Sequence, residues 1–410
     1  MIIAGESSGE LYGSLLAQSL KTRYPDLYIF GVGGEKMQMA GVELVSGISG
    51  AFGITELFTA LKDLKAAFRK TTEAIKKFMP RILVLIDYPD FNLKVAEFAK
   101  TLGIKILYYV SPQVWAWRKN RVKKIAHLVN RMAVVLPFEA EIYTKAGVLC
   151  EFVGHPVLEE IESVLQGACS EVKSGNSGVR NSRLTTHDVL FDSNVLFDSI
   201  SPELRVYFKG ALGLNAHLPL ISLLPGSRPH ELKRLLPLMM EVIKQCKEQY
   251  SGYQFCVPLS PNTDERKYSY YLEALKQEGA LIKKGESIRA LAASDMAVIA
   301  SGTATLQAAF LEVPMVVIYK LSPSTYFLAR LFVDVRHISL VNILSGRGVV
   351  PELLQQRANP DNIVNELRKL IDDDPYRKNM VNCFKSIKKP YSGLMASKRV
   401  TEIIGEMAGW

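Results

Sequence analysis

Leu220 to Glu231 reads LISLLPGSRPHE, and Met296 to Gln307 reads MAVIASGTATLQ. Each is an apolar run of strand character that stops at small residues and turns into a helix-like stretch. A strand that ends in Gly-Ser or Ser-Gly-Thr and enters a helix presents backbone N–H groups and the positive end of a helix dipole. Phosphate binds at such ends. One such turn is weak information, because any βα turn can look like this. Two of them in one alternating α/β pattern suggest a diphosphate-bearing ligand held in a cleft.

The alternation extends outward from these turns. Upstream, strands are expected at Met1–Ala4, Leu27–Val32, Ile82–Ile86, Lys105–Val110, Met132–Leu136 and Glu151–Val153. Ile82–Ile86 is apolar on both faces, as in a buried parallel sheet. After Leu220 the pattern restarts with strands at Phe255–Pro258, Ala297–Ala300 and Met315–Tyr319. Helical patterns fill the gaps, which is the doubly wound signature. Two such units in tandem make a two-domain α/β protein, whose ligands bind beyond the carboxyl ends of the strands. The expected division is a first domain over 1–166, an inserted mobile linker over 167–205, a second domain over 206–375 and C-terminal helices over 376–410. The linker is rich in Ser, Asn and Gly and holds a direct repeat, Val189–Ser193 and Val195–Ser199. The repeated phenylalanines either loop out with it or dock on a partner.

Composition sets limits. The 410 residues leave room for two ordinary domains, and 48% hydrophobic content supports sizeable cores. A formal charge of +9 favours an anionic partner: nucleic acid, a phosphorylated substrate or an anionic membrane surface. No aromatic-interleaved RNA motif or helix-turn-helix signal is present, so no nucleic-acid partner is expected. Cys150, Cys169, Cys246, Cys256 and Cys383 form no C-x-x-C and fit a reducing cytosol without structural zinc. No metal site is expected: Asp372-Asp373-Asp374 formally contains a D-x-D pattern but reads as a solvated turn. No apolar run reaches the roughly 18 residues that span a bilayer. The N-terminal sequence lacks signal-peptide character, and a cytoplasmic protein able to lie on a membrane is expected.

That surface has a candidate. Phe58, Leu61, Leu64 and Phe68 fall at helical spacing, with Lys62, Lys65 and Arg69 beside them. They form either a solvated face over core contacts or an interfacial helix meeting anionic lipid. The apolar stretch Val400–Trp410 packs back on the first domain or on a second subunit, which would make a homodimer.

Candidate chemistry lies at strand ends. Asp87 comes first off the buried strand Ile82–Ile86 and is the better candidate for a base; Asp90 could cap the next helix. Arg228 follows Pro225-Gly226-Ser227 and either faces a diphosphate, neutralising charge on a leaving group, or pairs with Glu231 at the surface. Gln307 lies one turn past Thr303, within reach of a ribose hydroxyl or simply on a helix face. The run from Ser111 to Trp117, SPQVWAW, either contacts ligand and closes a cleft or packs both indoles into the core.

Taken in order and spacing, Gly5-Glu-Ser-Ser-Gly-Glu10, Ile86–Asn92, Val110–Arg118, Phe152-Val-Gly-His-Pro156, Leu224–Arg228 and Ala300–Thr305 resemble the lipid-A-disaccharide synthases. The likeness covers nearly the whole chain except the insertion, and SPQVWAWR is its most specific segment. It implies two Rossmann-like domains facing across a cleft, the GT-B glycosyltransferase type, with the acceptor and membrane on the first and the UDP-sugar on the second. It implies inverting, metal-independent transfer, without a cofactor. UDP-2,3-diacylglucosamine would donate to the 6-hydroxyl of 2,3-diacylglucosamine 1-phosphate at the inner membrane of a Gram-negative bacterium. In that reading Asp87 and Arg228 are catalytic. Gly5, Glu6, Ser7, Ser8, Gly9, Asp90, Asn92, Ser111, Gln113, Trp115, Trp117 and Arg118 contact substrate in the first half. Gly226, Ser227, Ser301, Gly302, Thr303, Ala304, Thr305 and Gln307 do so in the second.

Three features depart from the family pattern. Gln307 stands where Glu is usual, which implies weaker donor binding. The first strand is short, which points to a start further upstream. The junction insertion is atypical, and either hinders domain closure or loops out. Two other readings stand beside this one: a different UDP-sugar enzyme, such as a 2-epimerase or a transferase to a soluble acceptor, and a non-catalytic binder of nucleotide-lipid.

Overall fold

The computed structural model describes residues 1–5, 7–47, 57–116, 121–173, 200–322 and 336–410; for Ser7, Gly47, 57–63 and 172–173 only the backbone is described. Contacts divide the chain into two units. Among the described residues the first takes Met1–Pro156 and Gly393–Trp410, and the second takes 157–322 and 336–392.

The first unit is built on β1 (Ile2–Ala4), β2 (Phe30–Gly33), β3 (Glu43–Gly47), β4 (Ile82–Ile86), β5 (Lys105–Tyr109), β6 (Arg131–Val134) and β7 (Cys150–Phe152). Their order in the sheet is β3-β2-β1-β4-β5-β6-β7, and every pairing is parallel. β4 is buried at all five positions, because helices cover both faces of the sheet. Leu83, Leu85, Ile106, Tyr108, Met132 and Val134 form the centre of its core.

The second unit carries β8 (Leu220–Leu224), β9 (Gln254–Leu259), β10 (Ala280–Lys284), β11 (Met296–Ala300), β12 (Met315–Tyr319) and β13 (Glu352–Leu354), ordered β10-β9-β8-β11-β12-β13 and again all parallel. In both sheets the chain winds one way and then reverses. The reversal falls between β1 and β4 in the first and between β8 and β11 in the second. The α/β expectation is met.

Local sequence explains the helix boundaries. Ser201 accepts from the Leu204 N–H with Pro202 in the first turn, and Gly213 closes that helix in the left-handed conformation. Asn359 and Pro360 start the helix Pro360–Asp372 in the same way. Asp373 caps the helix Asp374–Lys388 by accepting from the Tyr376 N–H, so the acidic triplet is a helix junction. The segment expected as a linker has helix at both ends, Pro156–Lys173 and Pro202–Leu212. Its Phe-Asp-Ser repeats lie outside the described residues.

Candidate functional site

In the first unit the sequence candidates fall on the carboxyl ends of β1, β4 and β5. Pro89 opens the helix Pro89–Thr101 and disfavours right-handed helical backbone in the residue before it. Asp87 and Tyr88 both adopt positive φ, 46° and 45°, and Val110, just past β5, adopts 65°. Left-handed backbone costs each of them about 1–2 kcal/mol, so neighbours must hold it. Tyr108 donates its hydroxyl to the Asp87 carbonyl at 2.7 Å, and Asn92 Nδ2 donates to the carbonyls of Asp87 (2.6 Å) and Ile86 (3.2 Å). The Asp87 side chain thus leaves a clamped backbone at the sheet edge. The Tyr108 hydroxyl, fully buried, is held protonated by that burial and by the charge of Asp87.

Gly5 meets this turn from β1. A Cβ there would run into the Tyr88 ring, so only glycine lets the strand end approach. Gly9 lies against Ala4 and Ile86. Ser8 is half-buried in the first turn of the helix Ser7–Arg23. Glu6, Trp117 and Arg118 lie outside the described residues.

Some expectations change. Asn92 is fully buried, so it acts on Asp87 through the backbone and offers no surface to substrate. Asp90 is exposed in the first turn of its helix, where it pairs with Arg121. Ser111 is buried, its hydroxyl bonded to the Tyr143 hydroxyl and the Pro112 carbonyl, each at 2.7 Å. Gln113 is exposed. Trp115 is half-buried, its ring 5.4 Å from that of Phe138, and its indole N–H donates to Glu139 Oε1 at 3.1 Å. Leu64 and Phe68 turn inward onto the core rather than out to a membrane, Phe68 meeting Phe91 edge-on, because the helix Leu57–Phe78 uses this part of its apolar stripe to cover the sheet. Lys65 and Arg69 are exposed, Arg69 lying 3.7 Å from Glu73. The side chains of Phe58, Leu61 and Lys62 are outside the described residues.

Glu139 was not among the candidates. It opens the helix Glu139–Lys145 after β6 and is 1% exposed. Burial raises its carboxyl to about 8 against the hydrogen bonds from Trp115, Leu136 and Ser111, and the charge of Asp87 adds to the rise. Its trace in the sequence is a weaker form of the signal at Asp87: an acid beyond a buried strand, with Pro137 and Phe138 between.

In the second unit the two glycine turns end the neighbouring strands β8 and β11. They are not alike. After β8, Glu231 turns back so that Oε2 accepts from the N–H groups of Ser227 and Arg228, both at 3.1 Å. The N–H groups expected to be bare here are occupied by the protein's own carboxylate. Gly226, at φ 90°, makes room for it, since a Cβ would strike Glu231. Arg228 is 52% exposed with Nη1 3.9 Å from Glu231 Oε1, a loose surface contact. The Tyr319 hydroxyl, at the end of β12, is raised by burial and by Glu231, with Arg228 opposing.

After β11, Gly302 starts the helix Thr303–Phe310, and among the described residues no side chain caps it, which leaves the N-terminus that phosphate needs. Ser301 Oγ donates to the Ile338 carbonyl at 3.0 Å, and the buried Thr305 hydroxyl donates to the Gly302 carbonyl at 2.8 Å; both shape the turn. Thr303 and Ala304 are half-buried at its mouth. Gln307 is only 8% exposed, and its amide donates to Glu160 Oε2 at 2.9 Å.

Among the described residues no group of three or more His, Cys, Asp or Glu could hold a metal ion, and no helix is long and apolar enough to cross a membrane.

Comparison with known proteins gives one consistent answer. The family model for lipid-A-disaccharide synthetase matches residues 1–173 and 195–400, which leaves 174–194 as the unmatched part of the junction. The lipid-A-disaccharide synthase of Syntrophus aciditrophicus is 37% identical over 380 residues, 92% of this chain and 89% of that one. That of Nitrosococcus oceani is 37% identical over 404 residues, 98% of this chain and 94% of its own. Among solved structures, UDP-GlcNAc 2-epimerase from Neisseria meningitidis superposes with a TM-score of 0.64 at 12% identity over 99% of both chains. A calicheamicin glycosyltransferase gives 0.56 at 13% over 100% of this chain and 98% of its own. At such identities the structural neighbours speak for the fold alone.

Proposed function

As a member of the lipid-A-disaccharide synthase family the chain is a glycosyltransferase, and we propose that Asp87 is its base and that the turns after β8 and β11 hold the donor's diphosphate. The reaction moves 2,3-diacylglucosamine from UDP-2,3-diacylglucosamine to the 6-hydroxyl of 2,3-diacylglucosamine 1-phosphate, with inversion, and releases UDP. One observation carries the residue assignment. In both sheets the candidates sit at the carboxyl ends of the two strands where the winding reverses, β1/β4 and β8/β11, and ligands of open α/β sheets bind at that point.

Inversion by a single displacement needs one base. Asp87, presented on its clamped turn, takes the proton as the acceptor oxygen bonds to the anomeric carbon and the bond to UDP breaks. General-base catalysis contributes roughly 10²–10⁴-fold. Negative charge gathers on the departing diphosphate, and the open N-terminus at Gly302 and the guanidinium of Arg228 meet it. Both substrates carry acyl chains. Contact with an anionic membrane surface is assigned to the beginning of the helix Leu57–Phe78 together with exposed Lys65, Arg69 and Lys70. Flotation with anionic vesicles that weakens with salt supports that contact, and flotation indifferent to lipid charge removes it.

The decisive experiment incubates the purified protein with both lipid substrates in detergent and EDTA, and reads UDP and disaccharide by mass spectrometry. Disaccharide is expected from the wild type. Asp87→Ala should lose turnover by at least about 100-fold while binding UDP as before. Normal turnover in that variant removes Asp87 as the base.

A further inference from the structure

The first unit holds a buried polar cluster that the mechanism above does not use. Glu139 lies at its centre, after β6, with Oε1 accepting from the Trp115 indole and Oε2 accepting from the Leu136 N–H at 3.3 Å. Ser111 reaches the same carboxyl and the fully buried Tyr143 hydroxyl. The groups around it come from several elements: Asp87 past β4, Ser111 and Trp115 past β5, Tyr143 on its own helix, and Cys150 in β7. Burial, then Glu139 and Glu151, drives the Cys150 thiol up to about 12, and burial likewise raises the Tyr143 hydroxyl.

The strand register puts this cluster beside the base. Ile86 is the partner of Tyr109, so the residues just beyond, Asp87 and Ser111, leave adjacent strands at one edge. The segment Ser111–Ala116 has little regular hydrogen bonding of its own: Val114 N donates to Pro112 O, Ala116 N to Gln113 O, and Ser111 Oγ to Pro112 O. Val114 and Ala116 are buried beneath it, and the Trp115–Glu139 bond ties its outer part to the helix after β6.

We infer that Glu139 is a positioning residue for the transfer step, holding Trp115 and with it the 111–116 loop as a fixed wall beside Asp87. This rests on Asp87 being the base. A carboxyl suits the task because its two oxygens each accept from a separate N–H group, the Trp115 indole and the Leu136 backbone. Its environment also couples it to Asp87: removing the neighbouring charge must lower its proton affinity, and its own ionisation must add a second negative charge at the site.

Two measurements test this. The first is kinetic. Glu139→Ala should lower kcat/KM for the lipid acceptor by about 10- to 100-fold, the scale of loss that misplacement near a reacting centre brings, with UDP affinity unchanged. Glu139→Gln, which keeps an acceptor for the indole, should recover most of it. Trp115→Phe should give a similar loss, and the double variant Trp115→Phe/Glu139→Ala little more than either alone. The second is spectroscopic. Indole fluorescence should titrate with a midpoint near 8 in the wild type, lose that step in Glu139→Gln, and show a lower midpoint in Asp87→Asn. Unaltered kcat/KM in Glu139→Ala, multiplying losses in the double variant, or a midpoint indifferent to Asp87→Asn overturns the inference. Should Glu139→Ala fail to fold, Glu139→Gln, Trp115→Phe and the titration decide it. If Asp87→Ala turns over normally, the base assignment fails whatever Glu139 does; if only the Glu139 results are negative, the positioning role alone falls.

Discussion

The residues that matter here do so by holding unfavourable states. Asp87 sits in left-handed backbone, and Tyr108 and Asn92 hold it there by donating to its carbonyl. Tyr108→Phe removes one of those donors, a loss of roughly 1 kcal/mol in stability, yet kcat should fall several-fold with UDP affinity unchanged, which steady-state kinetics beside a nucleotide titration will read. His155, in Gly154-His155-Pro156, is a second case. It is 4% exposed, packs edge-on against Tyr12 with ring centroids 5.9 Å apart, and burial lowers its imidazole from 6.5 to about 3. An unfolded chain takes up that proton near 6.5 while the folded one refuses it until about 3. The stability is therefore complete above 6.5 and is lost progressively as pH falls toward 3, by at most about 5 kcal/mol. Melting temperatures at pH 7 and pH 5 check this: the wild type should drop over that interval, and His155→Gln should drop distinctly less. Equal drops would show that other groups govern acid lability.

At the scale of elements, two turns of the same sequence type have different ends. The turn that enters the helix Pro229–Gln249 has its Ser227 and Arg228 N–H groups filled by Glu231, whereas among the described residues no side chain caps Thr303–Phe310 at Gly302. Glu231→Ala should therefore act in two directions. Loss of a cap costs about 1 kcal/mol, so the melting temperature falls; loss of a competing carboxylate leaves the N–H groups to the diphosphate, so UDP binds more tightly by calorimetry. Weaker UDP binding in that variant would mean that Glu231 supports the nucleotide site and does not compete with it. This difference was not legible beforehand, since both segments end a buried strand at small residues and only the fold shows which side chain returns to the turn. The strands divide on similar grounds. Ile82–Ile86, Leu220–Leu224 and Met296–Ala300 are buried throughout and stand out as apolar runs. Glu43–Gly47, Ala280–Lys284 and Glu352–Leu354 escape the pattern because each lies at a sheet edge, where one neighbour is missing and polar side chains are tolerated. Asp87 was visible as an acid at the end of an apolar strand. Glu139 was not, because Pro137 and Phe138 intervene and its burial is a tertiary fact.

At the scale of the molecule, among the described residues the chain leaves the first unit at Pro156 and returns to it at Gly393. The returning helix, Ala396–Ala408, buries Val400, Ile403, Ile404 and Met407, and Gly405 lets the Tyr24 hydroxyl approach where a Cβ would block it. Polar ties surround this apolar seam. Arg399 binds Glu151 at 2.5 and 2.9 Å and Glu402 at 2.9 Å, Arg131 pairs with Glu406, Lys105 donates to the Met407 carbonyl at 2.6 Å, and Thr401 bonds Ser19 at 2.9 Å. Magnitudes decide which dominates. Four buried apolar side chains at about 1.5–3 kcal/mol each exceed half-exposed ion pairs worth about 0–1 kcal/mol apiece. Arg399→Ala should accordingly lower stability by only about 1 kcal/mol in urea unfolding. Removing 393–410 should do far more, because the helix Ser7–Arg23 loses its cover and the first unit loses part of its core. A fragment ending at Pro156 is then expected to be soluble and cooperative only when 393–410 is joined to it by a short linker. The two fragments separate the possibilities by their near-ultraviolet dichroism and melting: a sharp transition in both would show that the returning helix is dispensable, and a sharp transition in the linked fragment alone would show that the first unit's core is completed by the end of the chain.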